Sequence, residues 1–337
     1  MDVTSWSGEQ LAGQRLMAGF EGGRLDRALQ ALIAELRLGG LILFKRNIES
    51  PRQLTELCRS AQHCARDSGL PPLFIAIDQE GGQVARLGRP FTRFPGNPAM
   101  QDAADALRFA RITAIELAWT GINMNLAPVL DVNSNPANPV INTRSFGGDP
   151  QLAAACGAAF VAALQGAGVM AVGKHFPGHG DTTIDSHVAL PVVAHGRARL
   201  EAVEFAPFLA AMAAGVAGIM SAHVHFPAIE PTANVPATLS HRVLTGLLRD
   251  EMGYRGLLLT DSLEMGALAT SGYPAPLAAA HALAAGADVL LFNTSPDTLW
   301  EAHATIVRWV EGGRLDPARL DEAVLRVLAA KQRFGLL

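Results

Sequence analysis

Eight short runs of apolar, β-prone residues recur along this 337-residue chain, at 15–20, 40–44, 73–77, 123–129, 169–173, 218–222, 256–260 and 288–292. They are apolar at nearly every position rather than at alternate ones. A strand of that kind has to be covered on both faces, which a parallel sheet with crossover helices achieves. Longer stretches of helical period fill the intervals, among them 25–36, 51–68, 103–120, 150–166 and 241–252. The stretch 315–334 closes the chain with its apolar residues on one face. Eight β–α units predict an α/β fold, a (β/α)8 barrel of the TIM type forming a single domain over 1–337. A doubly wound open sheet is the alternative with the same local pattern. No linker, low-complexity tract or change of composition marks a second domain.

The 27 basic and 31 acidic residues give a net charge of −4, and no cationic run is longer than Lys45-Arg46. Neither nucleic acid nor an anionic membrane is therefore an expected partner. Met1 to Trp6 lack the basic and apolar segments of a signal peptide. No apolar run approaches the roughly 18 residues that span a bilayer. Cys58, Cys64 and Cys156 are an odd number in apolar or helical settings, which favours reduced thiols. The expectation is a cytoplasmic monomer with no cofactor and no metal.

Polar and ionisable residues gather where the strands end. Asp78-Gln79-Glu80-Gly81-Gly82 follows the third, Pro128 and Asp131-Val132-Asn133 the fourth, Ser221-Ala222-His223-Val224-His225 the sixth, and Thr260-Asp261-Ser262 the seventh. A barrel keeps its active site at these carboxyl ends. A single aspartate there is often a helix N-cap, which suits Asp131 and Asp149, but that explanation does not cover every strand end together. After the fifth strand, residues 174–187 carry three histidines, two aspartates and a lysine around Pro177, Gly178 and Gly180. The glycines and the proline disfavour regular structure, and a packed core would need a partner for each ionisable group. The segment reads as a flexible loop that presents titratable side chains.

Asp261 at a strand end can attack an electrophilic carbon, ligate a metal or cap the next helix. Asp185 lies two residues before His187 and can accept its hydrogen bond, leaving the other ring nitrogen to give and take a proton. The bland alternative is a surface Asx turn beside an idle histidine. Lys174 and His175 come directly off the fifth strand and can bind hydroxyls or a carbonyl, although His175 also suits a core. Arg86 and Arg144 lie in Gly-rich loops, either solvated or forking hydrogen bonds to sugar oxygens. Asp78 can accept a pair of bonds from adjacent hydroxyls. His223-Val224-His225 leaves a metal-dependent hydrolase open, with Lys174, His175 and Asp261 completing the site.

Asp78-Gln79-Glu80-Gly81-Gly82, Ala127-Pro128-Val129-Leu130-Asp131, Lys174-His175-Phe176-Pro177-Gly178-His179-Gly180, Asp185-Ser186-His187 and Thr260-Asp261-Ser262-Leu263-Glu264-Met265 together closely resemble glycoside hydrolase family 3. Within it they look like the single-domain β-N-acetylglucosaminidases of the NagZ type. The resemblance implies a retaining hydrolase that releases non-reducing terminal β-N-acetylglucosamine, with peptidoglycan fragments as the usual substrate. Carried over, Asp261 resembles the nucleophile, His187 the acid/base and Asp185 its partner. Asp78, Arg86, Arg144, Lys174 and His175 match sugar-binding positions. The chain departs from close relatives at Ser262, where many have a second aspartate. A sugar-binding barrel that has lost catalysis is the non-enzymatic alternative.

Overall fold

The computed structural model describes residues 6–293 and 296–337, so Met1 to Ser5 of the N-terminal segment considered above lie outside the described residues. Eight parallel strands close on themselves: β1 (Leu16–Ala18), β2 (Gly40–Leu43), β3 (Phe74–Ile77), β4 (Met124–Asn125), β5 (Met170–Phe176), β6 (Gly218–Ser221), β7 (Leu257–Ser262) and β8 (Val289–Phe292). The ring closes where Leu16 of β1 pairs with Leu290 of β8, so the sheet is a barrel and the open-sheet alternative falls away. A small antiparallel hairpin, Gln79–Gly81 with Val84–Ala85, stands on the end of β3.

The near-continuous apolar strands follow from two separate cores. Met17, Ile42, Phe74, Met124, Met170, Met220 and Leu259 fill the barrel. Their strand neighbours Leu16, Leu41, Ile75, Ala171, Ile219 and Leu258 face outward against the helices. Each strand thus buries both periods of its pleat. The helices begin where local chemistry dictates. Asp26, Ser50, Asp102 and Asp149 accept backbone N–H bonds ahead of Arg27–Glu35, Pro51–Asp67, Ala103–Trp119 and Pro150–Gly166. None of the described helices is long and apolar enough to cross a membrane. Cys58, Cys64 and Cys156 are free thiols on two of these helices.

Most strand ends differ from the sequence pattern by a residue or two, and the differences in β4, β5 and β7 are the ones that shape the barrel mouth. The expected strand 123–129 pairs regularly only over Met124–Asn125, because Pro128 has no N–H to donate to the ladder. β5 continues beyond residue 173 through Lys174, His175 and Phe176, and β7 continues beyond residue 260 through Asp261 and Ser262. Polar residues end these strands because the strands run out into the barrel mouth.

Helix Pro317–Arg333 seals the opposite end, with Val327 entering the inner core. It also buries Lys331 completely. The ammonium donates to Gln14 Oε1 at 3.2 Å and lies 4.9 Å from the centre of the Phe74 ring. Burial pushes its pKa down to about 7. The unfolded chain keeps this proton to about pH 10.4, so the folded state is penalised most below pH 7 and recovers as pH rises. Lys331→Met is expected to be more stable than the parent at pH 6. Its advantage should narrow between pH 7 and 10 by up to about 1.4 kcal/mol per pH unit. Urea titrations across that range test this; a difference that does not vary with pH would show that no buried charge is involved.

Candidate active site

The strand ends converge on a pocket of about 190 Å³ whose lining includes Asp78, Glu80, Arg86, Arg144, Lys174, His175, His179, His187 and Asp261. Its wall on the β3 side is an ion network. Lys174 Nζ lies 2.8 Å from Asp78 Oδ1 and 2.6 Å from Glu80 Oε1. Arg144 forks onto the two Glu80 oxygens at 2.9 and 2.8 Å, and Arg86 reaches Asp78 Oδ2 at 3.2 Å. The hairpin sets Arg86 in place, since Gln79 Oε1 accepts the N–H groups of Arg86 and Leu87 at 2.8 and 3.0 Å.

Burial alone would raise the Glu80 carboxyl, but Lys174 and Arg144 more than offset it and hold it down at about 2. Asp78 is likewise held below the usual carboxylate range by Lys174 and Arg86, against the opposing effect of burial. Lys174 is buried, yet its ammonium is stabilised above its ordinary value because Asp78 and Glu80 outweigh desolvation. Glu80, the most deeply buried of the group, is therefore scaffolding for Lys174, Arg144 and, through Lys174, the more accessible Asp78 and Arg86.

The 174–187 segment is built differently from its sequence reading. It is not an open loop of presented groups: Lys174, His175, His179 and Ser186 are all buried, and each has found a partner. The partner for two of them is Asp131, which is not a helix cap. Its buried carboxylate accepts from the His179 N–H at 2.6 Å, the His175 N–H at 3.2 Å and His175 Nδ1 at 2.7 Å. That bond turns His175 Nε2 toward the pocket, 3.4 Å from Arg144 Nη2. Lys174 and His175, adjacent in sequence and joined by a cis peptide, both line the pocket. Gly180 permits a close approach, since a Cβ there would collide with Val132 O. His179 bridges Thr182 Oγ1 and Ser186 Oγ, both at 2.9 Å, and burial lowers its pKa to about 4, so it is neutral near pH 7.

Only the far end of the segment emerges. His187 is 61% exposed at the pocket rim, and Asp185 is 39% exposed. Asp185 Oδ1 accepts both the His187 backbone N–H at 2.8 Å and Nδ1 at 2.7 Å. A carboxylate can only accept, so Nδ1 carries a proton and Nε2 is left free. Although partial burial opposes it, these bonds from His187 keep the Asp185 carboxyl below its ordinary value.

Asp261 leaves the end of β7 half-buried, and it accepts the Ser262 N–H at 2.7 Å. It caps no helix, for the next one, Gly266–Thr270, has Met265 at its N-cap. Desolvation would raise its pKa, but the fields of His175 and His223 and the Ser262 N–H hold it below the usual range. An ionised carboxylate facing a ligand pocket is available as a nucleophile. His223 lies buried beside it with both nitrogens committed, Nδ1 to Thr238 Oγ1 and Nε2 to Ser262 O, each at 2.8 Å. His225 Nδ1 is engaged by Val235 O at 2.9 Å. Among the described residues no three His, Cys, Asp or Glu side chains converge as a metal site.

The structure thus brings together the candidates for catalysis and sugar binding, with Asp78, Arg86, Arg144, Lys174, His175, His187 and Asp261 on the lining and Asp185 behind His187, while His223 and His225 lie outside it. Sequence reasoning gave no separate role to Glu80, His179 or Ser186, read Asp131 as a helix cap and raised His223 only as a metal ligand. All five lie inside motifs quoted above or beside them. The partners of Glu80, Asp131 and His223 come from other strands, and His179 and Ser186 pair with each other only once the segment folds back on itself.

A (β/α)8 barrel whose mouth holds a free carboxylate, a hydrogen-bonded imidazole–carboxylate pair and an array of bond donors suits a small polyhydroxy ligand. The chain belongs to glycosyl hydrolase family 3: the family described as "Glycosyl hydrolase family 3 N terminal domain" matches residues 8–330. It is 38% identical over 334 residues to beta-hexosaminidase A of Pseudoalteromonas piscicida, covering 92% of this chain and 56% of that protein. A family 3 beta-N-acetylglucosaminidase from Paenibacillus sp. str. FPU-7 superposes with a TM-score of 0.96 at 46% identity, over 98% of this chain and 63% of the other. NagZ from Neisseria gonorrhoeae, solved in complex with N-trifluoroacetyl-D-glucosamine, gives 0.78 at 29% identity over 96% and 94% of the two chains. The chain spans between half and two-thirds of the length of the first two of these relatives.

Proposed function

We propose that this chain is the catalytic domain of a retaining β-N-acetylhexosaminidase, with residues 1–337 forming a single (β/α)8 domain. It would remove non-reducing terminal β-N-acetylglucosamine from peptidoglycan fragments or related glycosides. The observation that carries this reading is one pocket lined by both an ionised Asp261 and the free Nε2 edge of the Asp185-held His187. Relatives described as beta-hexosaminidase and beta-N-acetylglucosaminidase, and the glucosamine analogue bound by NagZ, support an N-acetylhexosamine as the sugar. The three free thiols agree with a reducing, cytoplasmic setting.

In this reading Asp261 attacks the anomeric carbon while His187 Nε2 donates its proton to the leaving oxygen, through an oxocarbenium-like transition state. The neutral imidazole then takes a proton from water, which opens the covalent intermediate with the β configuration retained. Asp185 fixes the tautomer and stabilises the imidazolium that forms on return. Asp78, Arg86, Arg144, Lys174 and His175 hold the sugar hydroxyls. The scheme needs neither metal nor cofactor.

Aryl glycosides test both parts of the reading. An aryl β-N-acetylglucosaminide should be hydrolysed much faster than the matching β-glucoside; equal rates would remove the hexosaminidase assignment. His187→Ala should slow a substrate with a poor leaving group by about 10²–10⁴-fold and barely affect formation of the glycosyl-enzyme from a highly activated one. Equal losses across the leaving-group series would show that His187 is not the acid.

A further inference from the structure

The Asp185-Ser186-His187 tripeptide alternates in exposure: Asp185 and His187 face solvent, while Ser186 between them is buried. Ser186 is gripped from both sides. Its hydroxyl bonds His179 Nε2 at 2.9 Å, and its carbonyl accepts the Ala267 N–H at 3.1 Å. The next carbonyl, that of His187, accepts the Gly266 N–H, also at 3.1 Å. These two donors belong to the turn that follows β7, five and six residues after Asp261. The backbone carrying the imidazole is therefore tied directly to the segment carrying the carboxylate. The seat is tight. A Cβ placed on Gly266 would lie 2.5 Å from His187 O and 2.8 Å from Val188 O, both backbone atoms that no side-chain rotation can relieve. Gly266 has no positive φ, so its lack of a side chain serves this contact and not the turn.

We propose that Gly266 is a positioning residue: the absence of its Cβ lets the 185–188 segment dock on the β7 turn, and this docking sets His187 against Asp261. The proposal rests on the reading of His187 as acid/base. Alanine at 266 pushes the His187 and Val188 carbonyls outward and carries the imidazole off the leaving oxygen, while Asp261, on the strand itself, stays in place. The consequence is a loss of proton donation with the nucleophile intact.

The test measures kcat/KM for Gly266→Ala over a series of aryl β-N-acetylglucosaminides, beside His187→Ala. Gly266→Ala should lose about 10–100-fold on the poorest leaving group and no more than about 3-fold in forming the glycosyl-enzyme from the most activated one. Sodium azide should restore breakdown of the intermediate, since an anionic nucleophile needs no general base. Ala267→Pro deletes the N–H given to Ser186 O at a position where the first turn of a helix tolerates proline. It should steepen the leaving-group dependence in the same direction, which keeps the test decisive if Gly266→Ala does not fold. A folded variant of either kind with the parent's leaving-group dependence overturns the docking role. If His187→Ala itself shows no such dependence, the acid/base reading fails instead.

Discussion

Asp261→Ala is expected to lower turnover by about 10⁴–10⁶-fold, the loss typical when the nucleophile of a covalent mechanism is removed. It should leave the fold intact. The carboxylate accepts the adjacent Ser262 N–H, and its neighbours His175 and His223 each keep other partners. Removing a partly desolvated charge at a strand end costs little packing, so the melting temperature should change by only a few degrees. A fluoro-sugar substrate whose intermediate is hydrolysed slowly should add one sugar mass to the parent protein, and peptide mapping should place it on Asp261. Labelling of Asp78 or Asp185 instead would reassign the nucleophile.

Glu80→Ala should give the largest loss of stability. Its carboxylate is buried and closes two interactions at once, with Lys174 Nζ at 2.6 Å and with both arms of Arg144. Without it Arg144 loses its fork, and Lys174 keeps only Asp78, which also serves Arg86. Removing one member of a buried ion cluster costs about 3–5 kcal/mol, because the remaining charges stay desolvated. Activity should fall with it, since Arg144 and Asp78 are among the groups proposed to hold the sugar. The pH dependence follows from the depressed carboxyl. A group with a folded pKa of about 2 contributes its full stability above its unfolded value near 4.3 and loses it as pH falls toward 2. The gap between the parent and Glu80→Ala should accordingly be constant from pH 5 to 7 and shrink below pH 4. A loss under 1 kcal/mol at pH 7, measured by urea unfolding, would mean that water relaxes the cluster and that Glu80 is not its keystone.

How much of the site is visible without coordinates depends on the range of the interaction. Asp185 and His187 are two residues apart, so their hydrogen bond is a local property and could be inferred from spacing alone. Asp261 could be placed at the mouth because an apolar strand leads straight to it. Asp131 was misjudged for the opposite reason. A carboxylate after a strand is locally indistinguishable from a helix cap, and what makes it a buried acceptor is the β5 backbone, more than forty residues away. The 174–187 segment shows the same limit. Its composition argues against a core, yet Lys174 and His175 find partners at other strand ends, and His179 and Ser186 bond each other once the segment folds back.

The sequence by itself determined the barrel, its eight strands and the pairing of Asp185 with His187, because apolar periodicity and short-range spacing are carried by residues close together in the chain. Only the tertiary structure decided which polar residues are buried scaffold and which face the ligand. Lys174, Glu80 and Asp131 are ionisable groups whose burial is tolerable only beside charges and donors from other strands. Desolvation depends on where the closed barrel brings those strands together, and no run of neighbouring residues encodes that meeting.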